Sequence, residues 1–173
     1  RFLLRGSNIS TGMNENVYLA VWTTTPWSLL GNMALAVRAD AAYVLVRRME
    51  THELYIVAED LAESLASVPA GRPGESGTLG PFDKVATVAG ADLVGSTYEC
   101  PWMLPTEERF LMNAPFVTTD AGTGIVHMAP AHGQEDYEVW RDAGFRKQYG
   151  LTSPVEDVGR LVTNGSWVLT GGR

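Results

Sequence analysis

Two segments of this 173-residue chain gather side chains that could do chemistry. The first is Trp22-Thr23-Thr24-Thr25-Pro26-Trp27-Ser28. In a strand the three threonines would alternate between faces, so only some of them could line one cleft. Pro26 ends regular pairing, because it has no N–H and a fixed φ. Backbone groups near it are then left for a ligand, and together with the hydroxyls they suit recognition of an ester or a ribose. Threonine is also common in strands, and β-propensity with an edge proline accounts for the same composition.

The second segment runs from Asp120 to Tyr137 and reads Asp-Ala-Gly-Thr-Gly-Ile-Val-His-Met-Ala-Pro-Ala-His-Gly-Gln-Glu-Asp-Tyr. It sets His127, His132, Glu135 and Asp136 around a strand-to-helix turn. His127 and Asp136 are close enough in sequence for a tight turn to fold them back together. Residue types alone leave four readings, in decreasing order of favour. Asp136 serves a helix dipole and His132 closes a turn. A carboxylate holds a substrate ammonium by a charge-assisted hydrogen bond. A histidine–carboxylate pair acts as general base. A metal sits on His127, His132 and Asp136 or Glu135, although that spacing matches no common zinc motif. Gly122-Thr123-Gly124 lacks a third glycine and precedes a strand, so it is no dinucleotide fingerprint.

The elements that must position these groups are mostly strands. Val17 to Thr23, Met33 to Val37, Tyr43 to Val46 and Leu54 to Val57 are rich in apolar, β-branched and aromatic residues, and the last two could close a hairpin. Glu59 to Val68 has helical spacing of Leu61, Leu65 and Val68, and Pro69 to Gly77 has the composition of a surface loop. Strands are expected around Lys84 to Val88, Leu93 to Tyr98 and Pro115 to Thr119. Gly124 to Pro130 should form a strand running into a helix over Gln134 to Ala143, with Gly144 as its C-terminal cap. The expected fold is α+β, a barrel-like sheet with two or three helices.

The remaining signals narrow the function. Thirteen basic and twenty acidic residues give a net charge of −7. Such a chain can release few counterions from a phosphate backbone, so any nucleic-acid contact should be local, as at a single strand end. The single cysteine, Cys100, excludes an internal disulfide and a cysteine-rich zinc site, and reads as a packing residue. Trp102, Trp140 and Trp167 also read as packing residues, His52 as a polar turn and Glu107-Glu108 as a solvated turn. No apolar run approaches a membrane span and no signal peptide is visible, so no membrane partner is expected. Without an initiator methionine, the whole of 1–173 reads as one domain excised from a longer chain.

Taken together, the two segments resemble the signature of the editing domain inserted into class I aminoacyl-tRNA synthetases for branched aliphatic amino acids. Trp22-Thr23-Thr24-Thr25-Pro26-Trp27 and the Gly122 to Tyr137 block are similar to the isoleucine enzymes, in the same order and at a similar separation. The valine-type domain instead carries threonine-threonine-arginine-proline-glutamate and a lysine at the His127 position. Departures from the isoleucine pattern are Ser28, usually threonine, Ala131, often glycine, and the valine-like Leu29-Leu30-Gly31-Asn32.

The resemblance implies hydrolysis of valine from mischarged isoleucine tRNA, with valyl-adenylate as a further substrate and isoleucyl-tRNA spared. A hydrophobic pocket gains only ~1–3 kcal/mol from one methylene, and isoleucine against valine is the standard instance of that limit, so a second sieve is needed. By resemblance Asp136, Thr24 and Thr25 are catalytic. Thr23, Trp27, Ser28, His127, His132 and Asp136 bind substrate. The implied partners are the 3′ end of the tRNA and the rest of a synthetase. No cofactor or metal is implied, and the implied location is the cytoplasm before an organelle. The alternatives are a valine-type domain removing threonine and a silent module that only binds the tRNA end.

Overall fold

The computed structural model describes residues 1–6, 15–67, 79–101 and 109–155. The expected loop Pro69 to Gly77, Val68, Trp102, Trp167, Glu107 and Glu108 lie outside the described residues. The elements in chain order are β1 (Phe2–Leu4), β2 (Val17–Leu19), a 3-10 helix (Pro26–Gly31), β3 (Ala34–Val37), β4 (Ala42–Arg48), β5 (Leu54–Ala58) and α1 (Glu59–Ser67). They continue with β6 (Phe82–Ala89), α2 (Gly90–Leu93), β7 (Thr97–Glu99), β8 (Arg109–Asn113), β9 (Val126–Met128), α3 (Gln134–Asp142) and α4 (Phe145–Tyr149).

The strands form one mixed sheet of nine, in the order β6-β4-β5-β2-β1-β7-β8-β3-β9. The expected hairpin is present: β4 and β5 are antiparallel, with Leu45 opposite Ile56. Two pairings are parallel, β2 with β5 and β3 with β8. β4 and β5 read as continuous apolar runs because they are buried on both faces. Helix α1 covers one of those faces, with Leu61 and Leu65 in the core.

β3 separates two hydrophobic clusters. Its side chains alternate, so Leu35 and Val37 join the main core while Ala34 and Ala36 face a smaller one with Met112, Met128 and Trp140. Trp140 anchors α3 in that second cluster, as its helical position suggests. Cys100 is buried, and His52 occupies an exposed turn with φ 58°.

Several expectations need correction. The sheet is open: β6 and β9 are its edges, and no ladder joins them among the described residues. It curls without closing. A parallel bridge ties Trp22 to Val126, and the Ala58 N–H at the end of β5 donates to the Thr123 carbonyl at 2.9 Å. Residues 115–119 form a turn, since Pro115 brings no N–H and the Val117 N–H folds back onto the Ala114 carbonyl. The strand there is β8, just before it. The region expected as a strand from Leu93 begins as α2, and a left-handed Gly95 separates that helix from β7. β2 stops at Leu19, so the threonines lie in a turn and not in a ladder. Among the described residues there are four short α-helices and a 3-10 turn, against the expected two or three.

Candidate active site

Pro26 opens the 3-10 helix, where its fixed φ is pre-set and its missing N–H costs nothing. Just before it, the Thr25 N–H donates to Thr23 Oγ1 at 3.0 Å, closing the threonine turn on itself. Thr25 Oγ1 lies 3.3 Å from Thr23 Oγ1 and 3.1 Å from Ser28 Oγ. Thr24 and Thr25 are exposed and Thr23 is half-buried.

The Gly122-Thr123-Gly124 stretch supplies the facing wall, and its glycines are needed sterically. Gly122 (φ +68°) lies under the Trp22 ring, where a Cβ would come within 3.2 Å. Gly124 (φ +71°) is tighter still, and a Cβ there would lie 2.3 Å from that of Ala58. Its carbonyl accepts the buried Tyr43 hydroxyl at 2.8 Å. These contacts fix β9, and with it His127, opposite Leu35 of β3.

His127 is only 6% exposed, and both its ring nitrogens are engaged. Asn32 Nδ2 donates to the Ala34 carbonyl at 2.9 Å, which can only accept, so this atom is the amide nitrogen. Its second proton points at His127 Nδ1, 3.0 Å away. Nδ1 is therefore the acceptor, and Nε2 carries the ring proton, donating to Ser28 Oγ at 3.0 Å. Ser28 in turn donates to the Thr25 carbonyl at 2.7 Å. Burial, with a smaller effect from His132, lowers the His127 pKa to about 4. The ring is neutral near pH 7 and has no free lone pair. This arrangement leaves it unable to accept a proton from water or to bind a metal in its present pose, and among the described residues no three His, Cys, Asp or Glu side chains converge as metal ligands.

Asp136 stands in the first turn of α3, half-buried. Its Oδ2 accepts the Ala129 N–H at 2.8 Å. Burial raises its pKa, the Ala129 N–H opposes this, and neighbouring Glu135 raises it further. His132 packs edge-on to Trp27, centroids 5.2 Å apart. Its Nε2 is buried without a hydrogen-bond partner among the described residues, and its ring edge faces Gly31. This histidine is a wall of the cavity through its ring.

All eight residues singled out in the sequence line one cavity of about 410 Å³: Thr23, Thr24, Thr25, Trp27, Ser28, His127, His132 and Asp136. Trp22, Phe116 and Glu135 border it too. A larger cavity of about 660 Å³ runs along α3 and shares Phe116 and Glu135 with the first; its floor of Phe110, Met112 and Phe145 is apolar, and no hydroxyl or imidazole lines it. The hydroxyls and the imidazoles line the smaller one. Sequence reading missed the role of Asn32, noted only within the Leu29-Leu30-Gly31-Asn32 stretch, and that of Tyr98, which donates to Asn32 Oδ1 at 2.6 Å.

No family model matches the chain. Solved structures share its fold: a leucyl-tRNA synthetase domain described as GlLeuRS-CP1 superposes with a TM-score of 0.62 and 27% identity, over 80% of this chain and 50% of that one. The editing domain of the P. knowlesi cytosolic leucyl-tRNA synthetase gives a TM-score of 0.60 at 13% identity, over 91% of this chain and 72% of that one. The fold is that of the editing domains of class I aminoacyl-tRNA synthetases. In sequence the chain is 42% identical over 145 residues to the isoleucine–tRNA ligase of Gloeobacter violaceus, and 39% identical over 163 residues to that of Aquifex aeolicus. These alignments cover 84% and 86% of the chain, and 13% and 15% of the respective ligases. The chain belongs with the isoleucine–tRNA ligases, as the counterpart of one segment of them.

Proposed function

We propose that this domain hydrolyses the ester linking valine to isoleucine tRNA and spares the isoleucyl ester. The observation that carries the reading is the meeting of the threonine turn, the His127 wall and the Asp136 carboxylate at one cavity. A volume of about 410 Å³ suits one aminoacylated nucleoside and excludes a duplex. The net charge of −7 agrees with a domain that reads the end of the tRNA and leaves the backbone grip to the rest of a synthetase.

In this reading Asp136 receives the α-ammonium of the misattached amino acid, whose charge favours the ionised carboxylate. The Ala129 N–H holds that carboxylate in place. Thr23 and the ring of Trp27 hold the terminal adenosine, and the Thr24 and Thr25 hydroxyls orient water and the ester oxygen. Water attacks the carbonyl carbon, the tRNA hydroxyl leaves, and valine is released as the acid. An ester is already activated, so positioning and oxyanion stabilisation suffice without a covalent enzyme intermediate. The neutral, clamped His127 ring is the steric limit, admitting valine and meeting the extra methylene of isoleucine. Valyl-adenylate presents the same amino acid and nucleoside, and is the second substrate on this reading.

The test is deacylation of valine, threonine and isoleucine tRNA esters by the chain and by Asp136→Asn. Asp136-dependent loss of valine alone supports the reading. Preferential loss of threonine points to valine-type editing. If a full-length synthetase carrying this domain also hydrolyses none of them, the domain is a silent binding module.

A further inference from the structure

Tyr98 has no contact with the cavity, yet its hydroxyl ends in the site's hydrogen-bond chain. It sits on β7, only 3% exposed, with its ring edge-on to Phe2 at 5.3 Å. Burial holds the phenol protonated, so it is available as a donor at any ordinary pH. It donates to Asn32 Oδ1 at 2.6 Å, and Asn32 is completely buried. The Asn32 carbonyl is held by the Arg109 guanidinium.

An amide can in principle be set either way round, and the tautomer of His127 depends on which way the Asn32 amide lies. In the observed one, Nδ2 serves both the Ala34 carbonyl and His127 Nδ1, while Oδ1 is satisfied by Tyr98. The flipped amide would set its oxygen against the Ala34 carbonyl and would require a proton on Nδ1. It would also remove the proton from Nε2 and with it the donation to Ser28. Deleting the Tyr98 hydroxyl would leave Oδ1 buried without its donor and would weaken the preference for the observed orientation.

We infer that Tyr98 is a positioning residue that acts through Asn32 to hold His127 in its Nε2–H tautomer and fixed ring pose. A merely structural tyrosine would leave that tautomer alone. The consequence for selectivity rests on the editing reading, but the tautomer does not.

The experiment is ¹⁵N–¹H correlation of the imidazole nitrogens in the wild-type chain and in Tyr98→Phe, near pH 7. His127 is assigned by its loss in His127→Gln. In the wild type, His127 should show one tautomer, with a pyridine-like Nδ1 and a protonated Nε2. In Tyr98→Phe, which keeps the ring and its contact with Phe2, the two nitrogens should move toward averaged shifts. Asn32→Asp is the second variant: with an acceptor facing Nδ1, the ring should carry a proton there. Unchanged His127 shifts in Tyr98→Phe overturn the inference, whatever happens to hydrolysis. A displaced tautomer with no hydrolysis in any variant leaves the inference standing and counts against the editing reading.

Discussion

Asp136 Oδ2 and the main-chain N–H of Ala129 are hydrogen-bonded at 2.8 Å, so the first turn of α3 is clamped to the end of β9. The bond orients the carboxylate at the cavity while occupying only one of its oxygens. It also gives the carboxylate a structural duty that asparagine can take over.

Asp136→Asn should therefore separate function from stability. The amide oxygen can still accept from Ala129, but the charge for an ammonium is gone. A charge-assisted hydrogen bond of ~1.5–3 kcal/mol corresponds to a fall of roughly 10- to 100-fold in hydrolysis. Stability runs the other way. A carboxyl whose folded pKa is raised is destabilising where it is ionised, so at pH 7 the melting temperature of the variant should be equal or higher. A clear drop in melting temperature with activity retained would show the carboxylate to be structural.

His127→Ala should widen the pocket on the side that the imidazole now fills. If the imidazole excludes isoleucine by a clash of ~1–3 kcal/mol, its removal raises isoleucyl-ester hydrolysis by roughly 5- to 150-fold relative to valyl ester. Measuring both rates on the same preparation checks this. A variant that loses valyl activity and still spares isoleucine would place the sieve elsewhere.

Acid should destabilise the fold through His127. Its folded pKa of about 4 lies below the unfolded value of 6.5, so the unfolded chain binds the proton first as pH falls. The stability is whole above about pH 6.5 and is lost progressively down to about pH 4, by roughly 3 kcal/mol. Asp136 has the opposite sign and gains as pH falls through its raised folded pKa. Urea unfolding at pH 7 and pH 5 should show the loss in wild type and a smaller one in His127→Gln. Equal losses in the two would assign the acid sensitivity to other groups.

Gly124→Ala should be among the most damaging single methyl additions. The residue has φ +71°, and its Cβ would lie 2.3 Å from that of Ala58. Strain and overpacking together should cost roughly 3 kcal/mol, or about 10 °C in melting temperature for a domain of this size. Calorimetry decides it, and a shift below a few degrees would mean that β5 and the loop before β9 move apart easily.

Much of the candidate site's lining was legible in the sequence, because those residues lie in two short segments of unusual composition. The strand-turn-helix at Val126 to Asp142 and the β4–β5 hairpin were equally legible, since hydrophobic period and turn residues are local properties. The pairing of β3 with β8 was not, because parallel register is set between strands remote in the chain. Residues 115–119 misled because Val117 is fully buried in a turn, and burial gives the same apolar signal as a strand. Asn32 and Tyr98 stayed hidden for a different reason: an amide and a phenol acquire their meaning only from what they touch.

β3 follows the threonine turn after only the short 3-10 helix, but its two neighbours in the sheet, β8 and β9, come much later in the chain. A nascent chain that has just emerged past Asn32 carries every hydroxyl of that turn and none of the opposing wall. Long-range pairings of this kind are slow to form, because loop closure must be met before the contacts reward it. The cavity thus needs two such long-range pairings, β3 with β8 and β3 with β9, before it exists. A chain stopped before β9 holds the threonine turn without His127 or Asp136, so the two walls of the cavity meet only when β9 pairs with β3.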